Sequence, residues 1–278
     1  MTARGAAHGA VSVLNGVATG IGCALAVEGG VEAEWAWTDA SGLGWRTPGV
    51  DHRVAAAVLR HVRRTRGTDL GARASTRSAW PPARGLKTSS AAAAALLQAA
   101  LRDLGEDPGP DRLAREAVHV ARSAGVTLTG AYDDQLATVL GGCRLADTLA
   151  RTDLGALPVP DVHVAVWVPD APLPKERLRG LDPASVVPEA RAAEALARHG
   201  RIAEAMTRNG AAWNRLYRLA GLPARDEPVQ AALAAGAHGA GLSGTGPAVA
   251  ALFDARGPLP AVPGGAWTWT RAAEGVHA

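Results

Sequence analysis

The sequence predicts an α+β chain organised in two lobes. Three observations predict it: short apolar or alternating runs interleave with helical segments, glycine-rich loops punctuate both halves, and a proline-rich break falls near residue 155. With 278 residues and 47% hydrophobic content, the chain can bury one large core or the cores of two fused lobes. The break sets the expected division at residues 1–155 and 156–278.

Strands are expected at Cys23–Val27, Glu32–Thr38, Leu70–Thr76, Val162–Val168, Gly239–Ser243, Ala248–Phe253 and Ala266–Thr270. Trp35 with Trp37, and Trp267 with Trp269, alternate at period two, as half-buried strand residues should. Helices are expected at Val50–Arg66, Ser89–Leu104, Pro110–Ala124, Ala131–Gly141, Val187–Ala197, Gly200–Ala220 and Pro228–Ala235. Leu157–Pro160, Pro169–Pro174 and Arg256–Pro263 read as loops. The segment Gly9–Val27 is apolar but carries Asn15, Thr19 and several glycines, so it reads as a loop joining two early strands rather than a membrane span.

Charge and cysteine usage exclude several classes. The net charge is +3, and arginines sit beside acids in helices, as in Arg112–Glu116, so no basic stripe for nucleic acid emerges. Cys23 and Cys143 are the only cysteines and have no metal-ligand spacing, which argues against a disulfide scaffold or a zinc site. The expectation is a cytoplasmic protein with no membrane and no nucleic-acid partner; a homodimer is compatible with the sequence.

Chemistry concentrates in three loops. In Pro81–Ala91 two prolines delay a helix, Gly85 permits close backbone approach, and Thr88, Ser89 and Ser90 fall where the first helical N–H groups lack partners. Such a helix start favours an anion, and Lys87, one of only two lysines beside Lys175, adds a compact charge there. The spacing is not G-x-x-x-x-G-K-[ST], so a P-loop is not implied. A plain helix cap would also fit this stretch taken alone. The second loop, Gly239–Pro247, carries Gly241, Gly244 and Gly246 with Ser243 and Thr245, ahead of an apolar run. The third, Gly125–Gly142, places Asp133 and Asp134 in a segment otherwise free of charge, where carboxylates could orient a hydroxyl or hold Mg²⁺.

These loops, in this order, resemble the GHMP kinase superfamily, which includes galactokinases, homoserine kinases and mevalonate kinases. The likeness is greatest to the archaeal-type shikimate kinase branch. It rests on the longer P-x-x-x-G-L-K-x-S-S-A form at Pro81–Ala91, Ala131–Asp134 ahead of Gly141 and Gly142, Ala205–Gly210, and Leu14–Gly22.

The resemblance implies a ribosomal S5-like N-terminal lobe, a ferredoxin-like C-terminal lobe and an ATP- and Mg²⁺-dependent phosphotransferase acting on the 3-hydroxyl of shikimate. It gives Asp134 the role of base, seven residues before Gly141, with Asp133 as its partner and Lys87 beside them. Pro82, Arg84, Gly85, Leu86, Lys87, Thr88, Ser89, Ser90 and Ala91 would hold the nucleotide. Asn15, Thr19, Gly244, Thr245 and Gly246 would meet the acceptor, and a carboxylate acceptor calls for a bidentate guanidinium, for which Arg208 is the candidate. The chain departs from the branch at Ile21, where lysine is usual, and at His119, where an acid is usual. Mg²⁺ is therefore assigned to Ser90 and to Glu116, one helical turn before His119. The departures leave two other readings open, another small hydroxylated acceptor such as homoserine or a cyclitol, and a weakened nucleotide-binding protein.

Overall fold

The computed structural model describes residues 2–127, 129–159, 161–173, 178 and 181–275. Lys175 and the ends of the expected loops at Pro160 and Pro174 lie outside the described residues. Strand β1 (Ala3–Leu14) runs antiparallel to β2 (Ile21–Thr38), whose 18 residues form the spine of the first sheet. The other edge of β2 is shared. Its C-terminal half pairs with β4 (Gly71–Ser78), and its first residues pair with β5 (Cys143–Asp147). Strand β3 (Leu43–Trp45) adds to β4 in parallel, and β6 (Thr152–Leu157) adds to β5.

One face of this sheet is covered by α1 (Arg53–Arg66) and α2 (Thr88–Asp103), with α3 (Pro110–Ser123) packed on these helices, around a core that includes Trp35, Val58, Leu96, Leu97 and Leu101. Alanine dominates α2 because it lies almost on the sheet. A Cβ at Gly5 of β1 would sit 2.1 Å from the Ala95 carbonyl oxygen, so this approach requires glycine. Helix α4 (Tyr132–Leu140) packs against α3, β2 and β5.

The second sheet has the order β10 (Gly265–Arg271), β7 (His163–Pro169), β9 (Val249–Phe253), β8 (Gly239–Leu242), antiparallel throughout. Numbered within the lobe this is 4-1-3-2, the order of a ferredoxin-like split βαβ arrangement. A 3-10 turn (Pro183–Val186), α5 (Val187–Arg198), α6 (Ile202–Leu219) and α7 (Asp226–Ala234) lie between β7 and β8, whereas β9 reaches β10 through a loop. The chain changes sheet between Leu157 and His163. The two halves nevertheless share a core in which Val11, Leu25 and Cys143 meet Val164, Met206 and Leu252. Within it Cys23 Sγ and Cys143 Sγ come to 3.4 Å, both buried and free.

The two-lobed α+β expectation holds, and all seven helices fall within a few residues of their expected places. The strands needed correction. The expected Cys23–Val27 and Glu32–Thr38 are one strand, with a bulge at Glu28 and Gly29 where the register against β1 jumps from His8↔Gly30 to Gly9↔Val27. Gly9–Val27 is accordingly the end of β1, a tight turn and the start of β2, not mainly a loop. Strands β1, β3, β5 and β6 had not been expected. Their alanines, glycines and charges lack the β-branched signature of a strand.

Candidate active site

Two helix starts and two inter-strand loops converge on one cleft. The chain enters α2 through three left-handed residues, Ala83, Gly85 and Lys87. Gly85 has φ +87°, and a Cβ there would lie 2.3 Å from the Ser243 carbonyl oxygen. Only glycine fits. The Ala91 N–H donates to the Lys87 carbonyl at 3.0 Å, which leaves the amides of Thr88, Ser89 and Ser90 in the unpartnered first turn. Gly85, Lys87, Thr88, Ser89 and Ser90 all line the cleft.

Helix α4 starts at the same place. Its N-cap, Ala131, is also left-handed, and Asp133 and Asp134 occupy the first turn, where the helix dipole favours negative charge. Asp133 is 4% exposed, and its carboxyl packs against β2 so tightly that a Cβ on Gly22 would come within 2.4 Å of it. Burial, with the Asp134 charge beside it, pushes the Asp133 pKa up to about 8. Asp134 turns toward α2, where Lys87 Nζ stands 2.9 Å from its Oδ1.

The opposite wall comes from the β8–β9 loop and the β1–β2 turn. Gly244, Thr245 and Gly246 line the cleft, and the buried Tyr217 hydroxyl on α6 donates to the Thr245 carbonyl. Asn15 lines it from the turn. Its N–H donates to Asn209 Oδ1 at 3.0 Å, and its own Oδ1 accepts from the Val17 N–H at 3.0 Å. Val17, Leu173 and Leu178 supply apolar surface. Thr127 and Thr129 close one end, their hydroxyls accepting from the N–H groups of Gly130 and Ala131.

Several expected residues lie elsewhere. Glu116 does not line the cleft; its carboxylate is held by Arg66, Arg112 and His61, so its place as a metal ligand is withdrawn. His119 is exposed beside Arg151. Arg208 lies on the exposed side of α6 and is not among the residues lining the cleft; the next residue, Asn209, faces inward. Thr19 turns its hydroxyl back to the Ile21 N–H. Pro82 is exposed, and Leu86 and Ala91 are core. Arg84 donates to the carbonyls of Pro169 and Asp170, fastening the loop before α2, the cradle at Gly85, to the second lobe. Asn209, Thr127 and Thr129 had escaped the sequence. Only the polarity of Thr127 and Thr129 between two glycines could have flagged them.

Residues 53–142 match the family described as GHMP kinases N terminal domain, and residues 192–261 match GHMP kinases C terminal. The chain is 34% identical over 262 residues to a shikimate kinase of Pyrococcus furiosus, covering 91% of this chain and 92% of that protein. It is 39% identical over 273 residues to a shikimate kinase of Halobacterium salinarum, covering 92% and 90%. A solved homoserine kinase from Cytophaga hutchinsonii shares the fold at TM-score 0.72 and 20% identity, over 92% of this chain and 86% of that one. Sequence likeness across nine-tenths of the chain and a cleft built between the two matched regions lead to one conclusion: the chain belongs to the GHMP kinase family and is a phosphotransferase.

Proposed function

We propose that this kinase transfers the γ-phosphoryl group of ATP, with Mg²⁺, to the 3-hydroxyl of shikimate. The acceptor is taken from the relatives named shikimate kinase. The observation that carries the chemistry is the Asp134 carboxylate, 9% exposed and paired with Lys87, in a cleft that glycine loops of both lobes enclose.

The α2 start holds the triphosphate. Its first-turn amides, Gly85 and the hydroxyls of Thr88, Ser89 and Ser90 present donors to anionic oxygens without a side chain in the way. Asp134 accepts the proton of the acceptor hydroxyl and orients its oxygen toward the phosphorus. Lys87 supplies the positive charge opposite Asp134 that Ile21, an apolar residue, does not. Burial and the neighbouring Asp134 charge raise the Asp133 pKa, which lessens the repulsion between the adjacent carboxyls and the phosphates. The loop Gly244–Gly246 borders both ligands.

The oxygen donors present fit Mg²⁺, which prefers hard oxygen ligands and keeps water and phosphate in its shell. Ser90 and the α4 carboxyls would be its protein-side neighbours, and among the described residues no cluster of three or more His, Cys, Asp or Glu is arranged to hold a metal by itself. When bound, Mg²⁺ neutralises charge on the phosphate oxygens. A two-lobe division at residue 155 belongs to the same reading, supported by the change of sheet after Leu157.

A second reading, phosphorylation of another small alcohol, is favoured by one observation. Among the described residues lining the cleft, Lys87 is the sole side-chain cation, and Asp134 already engages it. A carboxylate acceptor calls for a further donor. Coupled ADP release with shikimate, homoserine and mevalonate, with the product identified by mass, tests both. Turnover confined to homoserine or mevalonate rejects shikimate; no turnover of any rejects the reaction.

A further inference from the structure

Ser12 on β1 and Ser243 after β8 are 1% and 0% exposed, and neither lines the cleft. They close a chain of hydrogen bonds behind it. The Ser12 N–H donates to Ser243 Oγ at 3.1 Å, the Gly244 N–H donates to Ser12 Oγ at 2.9 Å, and Ser243 Oγ donates to the Gly85 carbonyl at 2.7 Å. The direction of the last bond is fixed, because a carbonyl can only accept. Each hydroxyl therefore joins parts far apart in sequence: the first strand, the Gly244–Gly246 loop and the phosphate cradle.

The same loops also meet through their backbones. A Cβ on Gly85 would fall 2.3 Å from the Ser243 carbonyl oxygen and 2.8 Å from that of Gly246. The Ala248 N–H donates to the Arg84 carbonyl at 2.9 Å. At such separations a shift of either loop moves the other, and the spacing between bound phosphate and acceptor follows.

We propose that Ser12 and Ser243 are positioning residues that fix the cradle at Gly85 against the Gly244–Gly246 loop, and so aim the transferred phosphoryl group at the acceptor hydroxyl rather than at water. This rests on the phosphotransferase reading and adds how its two loops are held in register. Neither serine touches a ligand. Their hydroxyls act through the Gly85 carbonyl and the Gly244 amide.

The test compares Ser12→Ala, Ser243→Ala, the double variant and Ser243→Thr with wild type. It measures melting temperature, kcat, KM for ATP, and the ratio of ADP formed to acceptor phosphorylated. Expected are folded proteins whose kcat falls on the order of 10- to 100-fold while KM for ATP changes little, since a misplacement of about 1 Å can cost that much. The ADP-to-product ratio rises as phosphoryl groups are lost to water. The double variant is no worse than the worse single one, because both act through one chain of bonds. Ser243→Thr, which keeps the hydroxyl, recovers the wild-type ratio. Wild-type kcat and ratio in both alanine variants, or a loss confined to melting temperature, overturns the proposal. If Ser243→Ala does not fold, Ser12→Ala, which removes a single acceptor, decides. Failure of the wild type on shikimate strikes the acceptor assignment alone; the variants are then read on the alcohol that is turned over.

Discussion

Lys87 Nζ and Asp134 Oδ1 meet at 2.9 Å, with the two side chains 10% and 9% exposed. The pair joins the N-cap of α2 to the first turn of α4, positions separated by more than forty residues of chain. Removing either partner leaves a poorly solvated charge behind, so each substitution acts on the site and on its supports together.

Asp134→Asn should lower kcat on the order of 10²- to 10⁴-fold, the usual cost of losing a general base. Nucleotide affinity, measured by titration with a non-hydrolysable ATP analogue, should change far less, because the phosphates are held at α2. Wild-type turnover in this variant would remove Asp134 from the mechanism.

Lys87→Met keeps length and apolar stem while deleting the ammonium. Turnover should drop and KM for MgATP should rise. The Lys87 charge also holds the Asp133 pKa down against burial and the Asp134 charge, so its loss should push Asp133 above about 8. Any bend in the pH–rate profile near pH 8 then moves to higher pH; a bend left in place contradicts the coupling.

Asp133→Asn should make the protein more stable near pH 8 than wild type. The carboxyl's pKa is raised from 3.8 to about 8 in the folded state, so the unfolded chain releases this proton first. Wild-type stability from this group is full below pH 3.8 and is lost as pH rises toward 8. The melting-temperature gap between variant and wild type should widen over that window. A gap independent of pH refutes the assignment.

Glu116→Gln should leave the Mg²⁺ dependence of the rate untouched and should reduce stability instead. Burial would raise the Glu116 pKa, but hydrogen bonds from Arg66, His61 and Arg112 outweigh it and hold the group down at about 2. Its stabilisation is present above pH 4.5 and is lost as pH falls toward 2. With the network partly open to water, the cost at neutral pH is about 1 to 2 kcal/mol. A raised Mg²⁺ requirement would return Glu116 to the metal.

The helices were readable because alanine- and leucine-rich periods end at glycine or open at proline, as Pro110 and Gly141 show. Strand β1 was hidden, since ARGAAHGAVSVL is built from small residues whose strand character comes only from lying between β2 and α2. Both cleft-lining glycine loops and the paired aspartates were legible, because close backbone approach and buried charge leave few alternatives in sequence. Sequence could not show the orientation of Arg208: a single helical step of about 100° turns its neighbour Asn209 inward and itself outward. Glu116 was placed on its helix correctly, but sequence could not show that three cationic or ionisable partners would already surround it.

Strand β2 is flanked along nearly its whole length, by β1 on one side and by β4 and β5 on the other. Gly22, which backs Asp133, is therefore part of the same hydrogen-bonded spine as Trp35 in the helical core. In hydrogen-exchange terms, the amides of β2 should open only when the molecule unfolds globally. The floor of the cleft beneath Asp133 thus belongs to the slowest-exchanging unit of the protein, so a proton or an amide there reports global rather than local opening.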